Sequence, residues 1–149
     1  MQDEELIGKC GLYCGACVIY IAQGNEKARK KLAESFKCDP EKIRCTGCGA
    51  LDDESWGNDC KIVACINENG YESCHDCDRF HNGECEIFKE VHERYMDKAD
   101  FDLRVSLRRR ADFGVEQWLK ECREIFTCNN CGEKVIMGSH TCWKCGAKI

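Results

Sequence analysis

Five Cys-x-x-Cys pairs constrain this chain more strongly than any other feature of its sequence. Two thiolates at this spacing can bind one metal ion, whereas a disulfide between them would be strained. Sixteen of the 149 residues are cysteine, a density typical of disulfide scaffolds or of metal sites. The pairs are Cys14/Cys17, Cys45/Cys48, Cys74/Cys77, Cys128/Cys131 and Cys142/Cys145.

The redox state of the cellular compartment decides between a disulfide scaffold and metal sites. The N-terminal residues lack the basic segment and the apolar stretch of a secretory signal, so we expect a cytoplasmic chain with reduced thiols. No run approaches the ~18 apolar residues of a membrane span. With 33% of the chain charged, and cysteine supplying part of the 43% that is hydrophobic, the apolar core is thin. We therefore expect metal sites to replace part of the core.

The C-terminal cysteines form the clearest motif. The motif consists of two Cys-x-x-Cys-Gly turns, and ten residues, 132–141, lie between the last cysteine of the first turn and the first cysteine of the second. The backbone amides of each turn can point at its sulfur atoms. The spacing predicts a β-hairpin zinc ribbon over residues 128–149 with a closed, structural zinc site. A rubredoxin-like iron site is the alternative. The predicted ligands are Cys128, Cys131, Cys142 and Cys145.

Ten further cysteines form an N-terminal metal field. Two tetrahedral zinc sites would use eight of them, for about three zinc ions in the whole chain, and the sequence does not reveal which cysteines share a metal. An iron–sulfur cluster is the alternative here, because such clusters use the same Cys-x-x-Cys spacing. Cys38 and Cys122 fall outside the pattern, and Cys122 is predicted to be a core thiol. The field comprises Cys10, Cys14, Cys17, Cys45, Cys48, Cys60, Cys65, Cys74, Cys77 and Cys85.

Apolar residues at helical spacing occur on both sides of the cysteine-rich loops. Asn25 is a predicted N-cap after a break in the first helical segment. The stretch 38–85 is dense in Cys, Gly, Asn and Asp and predicts irregular loops with short helical turns. The predicted helices cover residues 18–36, 86–98, 103–110 and 115–125.

These patterns together predict a small, metal-stabilised α+β protein. A helical cysteine-rich body over 1–98 would carry the metal loops, and a helical connector would cover 99–127. The zinc ribbon over 128–149 would supply the β-hairpin.

The charge of the chain bears on its partners. The formal net charge is −5, and each zinc with four thiolates carries a further −2, which disfavours nucleic acid and anionic membranes. Arg104 and the run Arg108–Arg110 form the one cationic concentration, and we predict that they form a solvated, salt-bridged helix face. We expect an unidentified protein partner and no membrane association.

No catalytic residues are predicted, because the sequence shows no nucleophile–base arrangement, phosphate-binding loop or paired-histidine helix. The sequence therefore favours a zinc-binding protein with structural metal sites that serves as an interaction module. Two alternatives stay open. One is an iron–sulfur protein in electron transfer or redox sensing, and the other is an enzyme with an open metal position in the N-terminal body.

The order of these motifs resembles the DUF3795 family of small, cysteine-rich bacterial and archaeal proteins. The resemblance implies metal binding, with zinc as the metal, and implies no reaction. Members often carry proline just before the last cysteine of the field, where this chain has His81-Asn-Gly-Glu. The helix from Gly114 onward is similar to the C-terminal part of longer members. The matching motifs are Cys10-Gly-Leu-Tyr-Cys14-Gly-Ala-Cys17, Cys45-Thr-Gly-Cys48-Gly, Cys60-Lys-Ile-x2-Cys65, Gly70-x3-Cys74-x2-Cys77-x2-Phe80 and Cys85-Glu.

Overall fold

A computed structural model describes residues 4–149, and this part of the chain is helical. The helices are α1 (Val18–Ala22), α2 (Glu26–Phe36), α3 (Lys61–Asn69), α4 (Asp78–His81), α5 (Glu86–Ala99), α6 (Leu103–Phe113) and α7 (Val115–Ile125). Short 3-10 turns precede α1 and lie between α2 and α3 and between α3 and α4. No helix of the described residues is long and apolar enough to cross a membrane.

Helices α2, α5, α6 and α7 confirm the predicted helical segments. Asn25 caps α2, where its side chain accepts a hydrogen bond from the amide of Ala28 at 3.0 Å. Asp102 caps α6 and accepts hydrogen bonds from two amides of the first turn. These caps satisfy amide groups that the start of a helix leaves without a partner. The predicted interruption is confirmed, since α1 ends at Ala22 and α2 begins at Glu26.

The cysteine-rich stretch 38–85 is more helical than predicted. Helix α3 spans nine residues, and its Ile62 and Ile66 are buried on one face. Helix α3 was not predicted because the two isoleucines form only one pair at helical spacing. The residues around this pair are typical of loops. The helix bears on the metal field because Cys60 precedes it and Cys65 lies within it.

The predicted α+β class and the predicted C-terminal β-hairpin zinc ribbon are wrong. Between residues 4 and 149 the structure contains no strand, only isolated β-bridges. Two of these bridges lie in the C-terminal segment, and each one closes a single cysteine turn. They pair Thr127 with Lys134 and Thr141 with Lys148.

The backbone hydrogen bonds of the C-terminal segment explain the absence of a hairpin. The amide of Cys128 donates to the carbonyl of Glu133 at 2.8 Å, and an equivalent bond closes the second turn. Between the turns, the amide of Met137 donates to the carbonyl of Ala16 in the N-terminal body at 2.9 Å. Gly138 then reverses the chain at φ 84°. The residues between the two cysteine turns therefore form a hydrogen bond with the N-terminal body and do not form the two strands of a hairpin.

The apolar core is divided into four small clusters. The largest lies between α3, α5 and α6, where Ile66, Phe88, Leu103 and Leu107 are almost completely buried. Three of the four clusters include buried cysteines. Thiol groups therefore supply part of the interior, as the thin apolar composition suggests.

The arginines of α6 do not form the uniformly solvated face that the sequence predicts. Arg109 forms an ion pair with Glu121 at the surface. Arg110, in contrast, is buried, where its Nη1 donates to the carbonyl of Gly8 at 2.9 Å and its guanidinium lies 5.1 Å from the ring centre of Trp118. Arg110 is buried because it lies on the same face of α6 as the two buried leucines.

A buried hydroxyl joins the N-terminal loop to the C-terminal helices. The Oγ of Ser106 donates to the carbonyl of Gly11 at 2.6 Å and accepts from the indole Nε1 of Trp118 at 2.9 Å. We expect Ser106→Ala to lower the free energy of unfolding by about 1–3 kcal/mol, because both partners would stay buried without a hydrogen bond. Urea unfolding followed by circular dichroism measures this change.

Ser35→Ala is the matched control for this substitution. Ser35 is exposed, and its Oγ bonds only the carbonyl of Lys31 in the same helix. Its removal is expected to change the free energy of unfolding by less than about 0.5 kcal/mol. Equal losses in Ser106→Ala and Ser35→Ala would contradict the structural role of Ser106.

Candidate metal centres

Four sulfur atoms converge at the two C-terminal turns. The Sγ atoms of Cys128 and Cys145 are 3.7 Å apart, and those of Cys131 and Cys142 are also 3.7 Å apart. All four Sγ atoms lie within 4.8 Å of one another. Four thiolates at this separation can hold a metal ion. The structure thus brings together the four C-terminal cysteines that the sequence places in one site.

Backbone amides stabilise the thiolate form at this group. The amide of Ala147 and the Nδ2 of Asn130, which is 3.4 Å from the sulfur, lower the pKa of Cys145 to about 6. The amide of Cys145 in turn lowers the pKa of Cys142. Since the thiolate is the metal-binding form, these donors reduce the free energy needed to prepare the ligands.

Side-chain contacts tie the second C-terminal turn to the first. Trp143 is 41% exposed, and its indole Nε1 donates to the carbonyl of Lys134 at 3.0 Å. Lys144 forms a 3.0 Å ion pair with Glu133. Both contacts hold the two halves of the cysteine group at a fixed separation.

Six of the ten N-terminal cysteines line one cavity of about 360 Å³. Helix α5 closes one side with the apolar face formed by Ile87, Val91 and Tyr95. We call this space the six-cysteine cavity. Its thiols belong to Cys10, Cys14, Cys17, Cys45, Cys48 and Cys60.

Local backbone structure aims these thiols into the cavity. Cys14 and Cys48 each begin a short 3-10 turn. The side chain of Gln23 holds Cys45 from both sides, with Nε2 2.8 Å from its carbonyl oxygen and Oε1 3.0 Å from its amide nitrogen. Sequence reasoning missed Gln23, because a glutamine 22 positions before its partner gives no local signal.

Two neighbouring thiols of the six-cysteine cavity have pKa values that are shifted in opposite directions. The interaction between the thiols of Cys14 and Cys48 raises the pKa of Cys14 well above its usual value and lowers the pKa of Cys48 to about 7. Burial raises the pKa of Cys10 to about 12. Cys48 is therefore the first of these three thiols to ionise.

Gly47, between Cys45 and Cys48, has the left-handed φ of 93°. A side chain there would collide with the backbone carbonyl of Glu5. We expect Gly47→Ala to lower the free energy of unfolding by about 1–3 kcal/mol, because strain and the backbone contact both oppose the native conformation. Thermal unfolding by circular dichroism measures the loss.

Gly24→Ala is the control for this substitution, since the nearest atom to an added Cβ is the Ile21 carbonyl oxygen at 3.9 Å. We expect its effect to stay within about 0.5 kcal/mol. If Gly47→Ala were tolerated as well as Gly24→Ala, the close approach of residues 5 and 47 would be wrong.

The remaining four N-terminal cysteines line a second cavity, of about 20 Å³. This volume accommodates one water-sized group, and the lining is otherwise apolar. Asn69 Nδ2 lies 3.7 Å from one of these sulfur atoms, and the amide of Phe88 lies 3.5 Å from another. We call it the four-cysteine cavity. Its thiols belong to Cys65, Cys74, Cys77 and Cys85.

The structure thus divides the N-terminal field into sets of six and four. Within residues 4–149, the only group of three or more such ligand atoms that lies within 4.8 Å is the C-terminal one. Cys10 connects the two N-terminal sets, because its charge raises the pKa of Cys74, although burial contributes more. Metal binding by the ten N-terminal cysteines stays a prediction.

The two cysteines outside the predicted pattern also lie outside all three groups. Cys122 is buried on α7 in the apolar cluster that contains Trp118, where the sequence predicted a core thiol. Cys38 packs at the edge of the cluster around Ile43. All sixteen cysteines are free thiols.

The profile of one family of known sequences matches residues 6–90. It is described as protein of unknown function (DUF3795), and the matched segment contains all ten cysteines of the N-terminal field. The match ends before the C-terminal cysteines, so it says nothing of the segment from Gly114 onward. Comparison with curated proteins and with solved structures gives no match. Because the match covers more than half of its length, the chain belongs to the DUF3795 family.

Proposed function

We propose that this is a zinc-binding protein and that its four C-terminal cysteines bind one structural Zn²⁺ ion. The supporting observation is the sulfur geometry. A tetrahedral ion with Zn–S bonds of ~2.3 Å requires its ligands to lie about 3.8 Å apart. The observed Sγ–Sγ distances are 3.7 Å for both pairs.

A structural role fits the number and type of the ligands. Four thiolates complete a tetrahedral shell and leave no position for a substrate or a water molecule. The surrounding segment has little else to stabilise it, since its apolar cluster contains a single buried residue, Val135, besides two of the cysteines. Metal binding would therefore supply most of the free energy that keeps residues 128–149 folded.

Metal analysis of the full chain tests this function. We expect zinc in the purified protein and the loss of one zinc per chain in Cys131→Ser. Replacement by Co²⁺ should produce the visible absorption of a tetrahedral thiolate complex in the original chain, and this absorption should be lost in Cys131→Ser.

Cys38→Ser is the matched control, because Cys38 is a partly buried thiol outside the three cysteine groups. It should retain the zinc content and the Co²⁺ spectrum of the original chain. An unchanged zinc content in Cys131→Ser would contradict the C-terminal site, and a loss of iron in place of zinc in this variant would contradict the metal.

A further inference from the structure

The six-cysteine cavity is too large for one metal ion. Its volume of about 360 Å³ equals that of roughly a dozen water molecules at ~30 Å³ each. The C-terminal group, in contrast, surrounds a point at which four sulfur atoms lie within 4.8 Å of one another. A mononuclear ion in the six-cysteine cavity would leave most of the space to water.

Water is a poor occupant of this cavity because its lining is mainly apolar. Ile19, Leu51 and Val91 line it together with Trp56 and Tyr95. Ordered water in a protein interior needs two to four polar partners, which this apolar part of the lining does not supply. Charged side chains also line the cavity, namely Asp59, Lys61, Glu90 and Arg94. A larger group that binds several thiolates would fill the same space and satisfy the sulfur atoms.

Two zinc ions sharing six thiolates are disfavoured by the sulfur separations. Each zinc ion would need four sulfur atoms at the corners of a tetrahedron. The distances between these sulfur atoms would resemble those in the C-terminal group. Among the described residues, no N-terminal set of three ligand atoms converges within 4.8 Å. In an iron–sulfur cluster the four thiolates bind two or four different iron atoms, so the four sulfur atoms need not converge on one point.

Two Cys-x-x-Cys pairs face each other across this cavity. All four cysteines line the cavity. Cys48 packs against the apolar cluster that contains Cys14, and Cys17 and Cys45 both pack against the cluster around Ile43. These four thiols come from two short loops that Gln23 holds in place through Cys45. Cys10, in comparison, is buried in the apolar cluster that also contains Cys74 of the four-cysteine cavity, and Cys60 packs against the same cluster.

We propose that the six-cysteine cavity binds an iron–sulfur cluster through the thiolates of the two facing pairs. The ligands are Cys14, Cys17, Cys45 and Cys48, and Cys10 and Cys60 are neighbours that do not bind iron. This site is separate from the C-terminal zinc site, and each can exist without the other.

Anaerobic purification of the full chain from iron-supplemented cells tests the proposal. We expect iron and acid-labile sulfide in equal amounts, a brown colour with broad visible absorption, and an electron paramagnetic resonance signal in the dithionite-reduced or the oxidised protein. A colourless protein that contains zinc and neither iron nor sulfide, also after reconstitution with ferrous iron and sulfide, would overturn the proposal. This measurement needs no variant and is independent of variant folding.

Four variants then test the ligands and separate the two metal sites. Cys45→Ser should lose iron and sulfide and keep the C-terminal zinc, whereas Cys131→Ser should lose zinc and keep iron and sulfide. Cys60→Ser and Cys38→Ser should retain both metals. Retention of the cluster in Cys45→Ser, or its loss in Cys60→Ser with helix content unchanged, would overturn the assigned ligands.

Discussion

Removal of the proposed zinc ion from the C-terminal site is expected to unfold residues 128–149 and to leave α5, α6 and α7 folded. A structural zinc site of this type contributes on the order of 10 kcal/mol in apparent terms. The buried apolar contacts of this segment cannot replace it, because Val135 is its one completely apolar buried residue. The helices α6 and α7 have their own buried contacts through Leu107 and Trp118.

Hydrogen exchange measured by mass spectrometry, with and without a chelator, resolves this difference by segment. The amides of Gly132 and Gly146, which donate to the carbonyls of Cys128 and Cys142 at 2.8 and 2.9 Å, should lose their protection. Peptides from α6 serve as the internal control and should exchange at an unchanged rate. If the C-terminal peptides stayed protected after confirmed loss of zinc, the structural role of the metal would be wrong.

Phe88→Ala is expected to be the most destabilising of the apolar truncations, with a loss of about 3–5 kcal/mol in the free energy of unfolding. The Phe88 side chain is completely buried. Its ring centre lies 4.8 Å from that of Phe80 in an edge-on contact, and the guanidinium of Arg104 lies 4.9 Å away. Truncation would leave a cavity where α5 meets α4 and α6.

Phe113→Ala is the control for this truncation, because Phe113 is 58% exposed at the end of α6. We expect its loss to stay below about 1 kcal/mol, including the lost contact with Arg109. Chemical unfolding of both variants in the same buffer gives the comparison. Similar losses in the two variants would show that Phe88 does not occupy the core as described.

Helices α2, α5, α6 and α7 and the C-terminal cysteine group could be predicted because local spacing determines them. Asn25 and Asp102 are caps that act on amides within the next three residues. The C-terminal ligands lie in two turns separated by a short loop, so the motif itself contains the information that brings them together. Sequence reasoning identified the Asn25 cap and the C-terminal ligands, whereas the Asp102 cap was recognised only in the structure.

The β-hairpin could not be excluded from the sequence, because its absence depends on a distant partner. The amide of Met137 donates to the carbonyl of Ala16, more than a hundred positions earlier in the chain. The burial of Arg110 has a similar cause, since its hydrogen-bond acceptor is the carbonyl of Gly8. Neither contact produces a periodic pattern in the sequence. Each contact overturns a prediction that followed from the neighbouring residues alone.

The sequence by itself determined that cysteine replaces part of the core and that four C-terminal cysteines share a site. Only the tertiary structure decided how the ten N-terminal cysteines divide. Cys60 and Cys65 are close in the chain, yet they line different cavities. Cys60 is the extended residue before α3 and Cys65 lies in the second turn of the helix, so the helix separates the two thiols. The division therefore depends on how α3 packs against α5, which spacing along the chain does not specify.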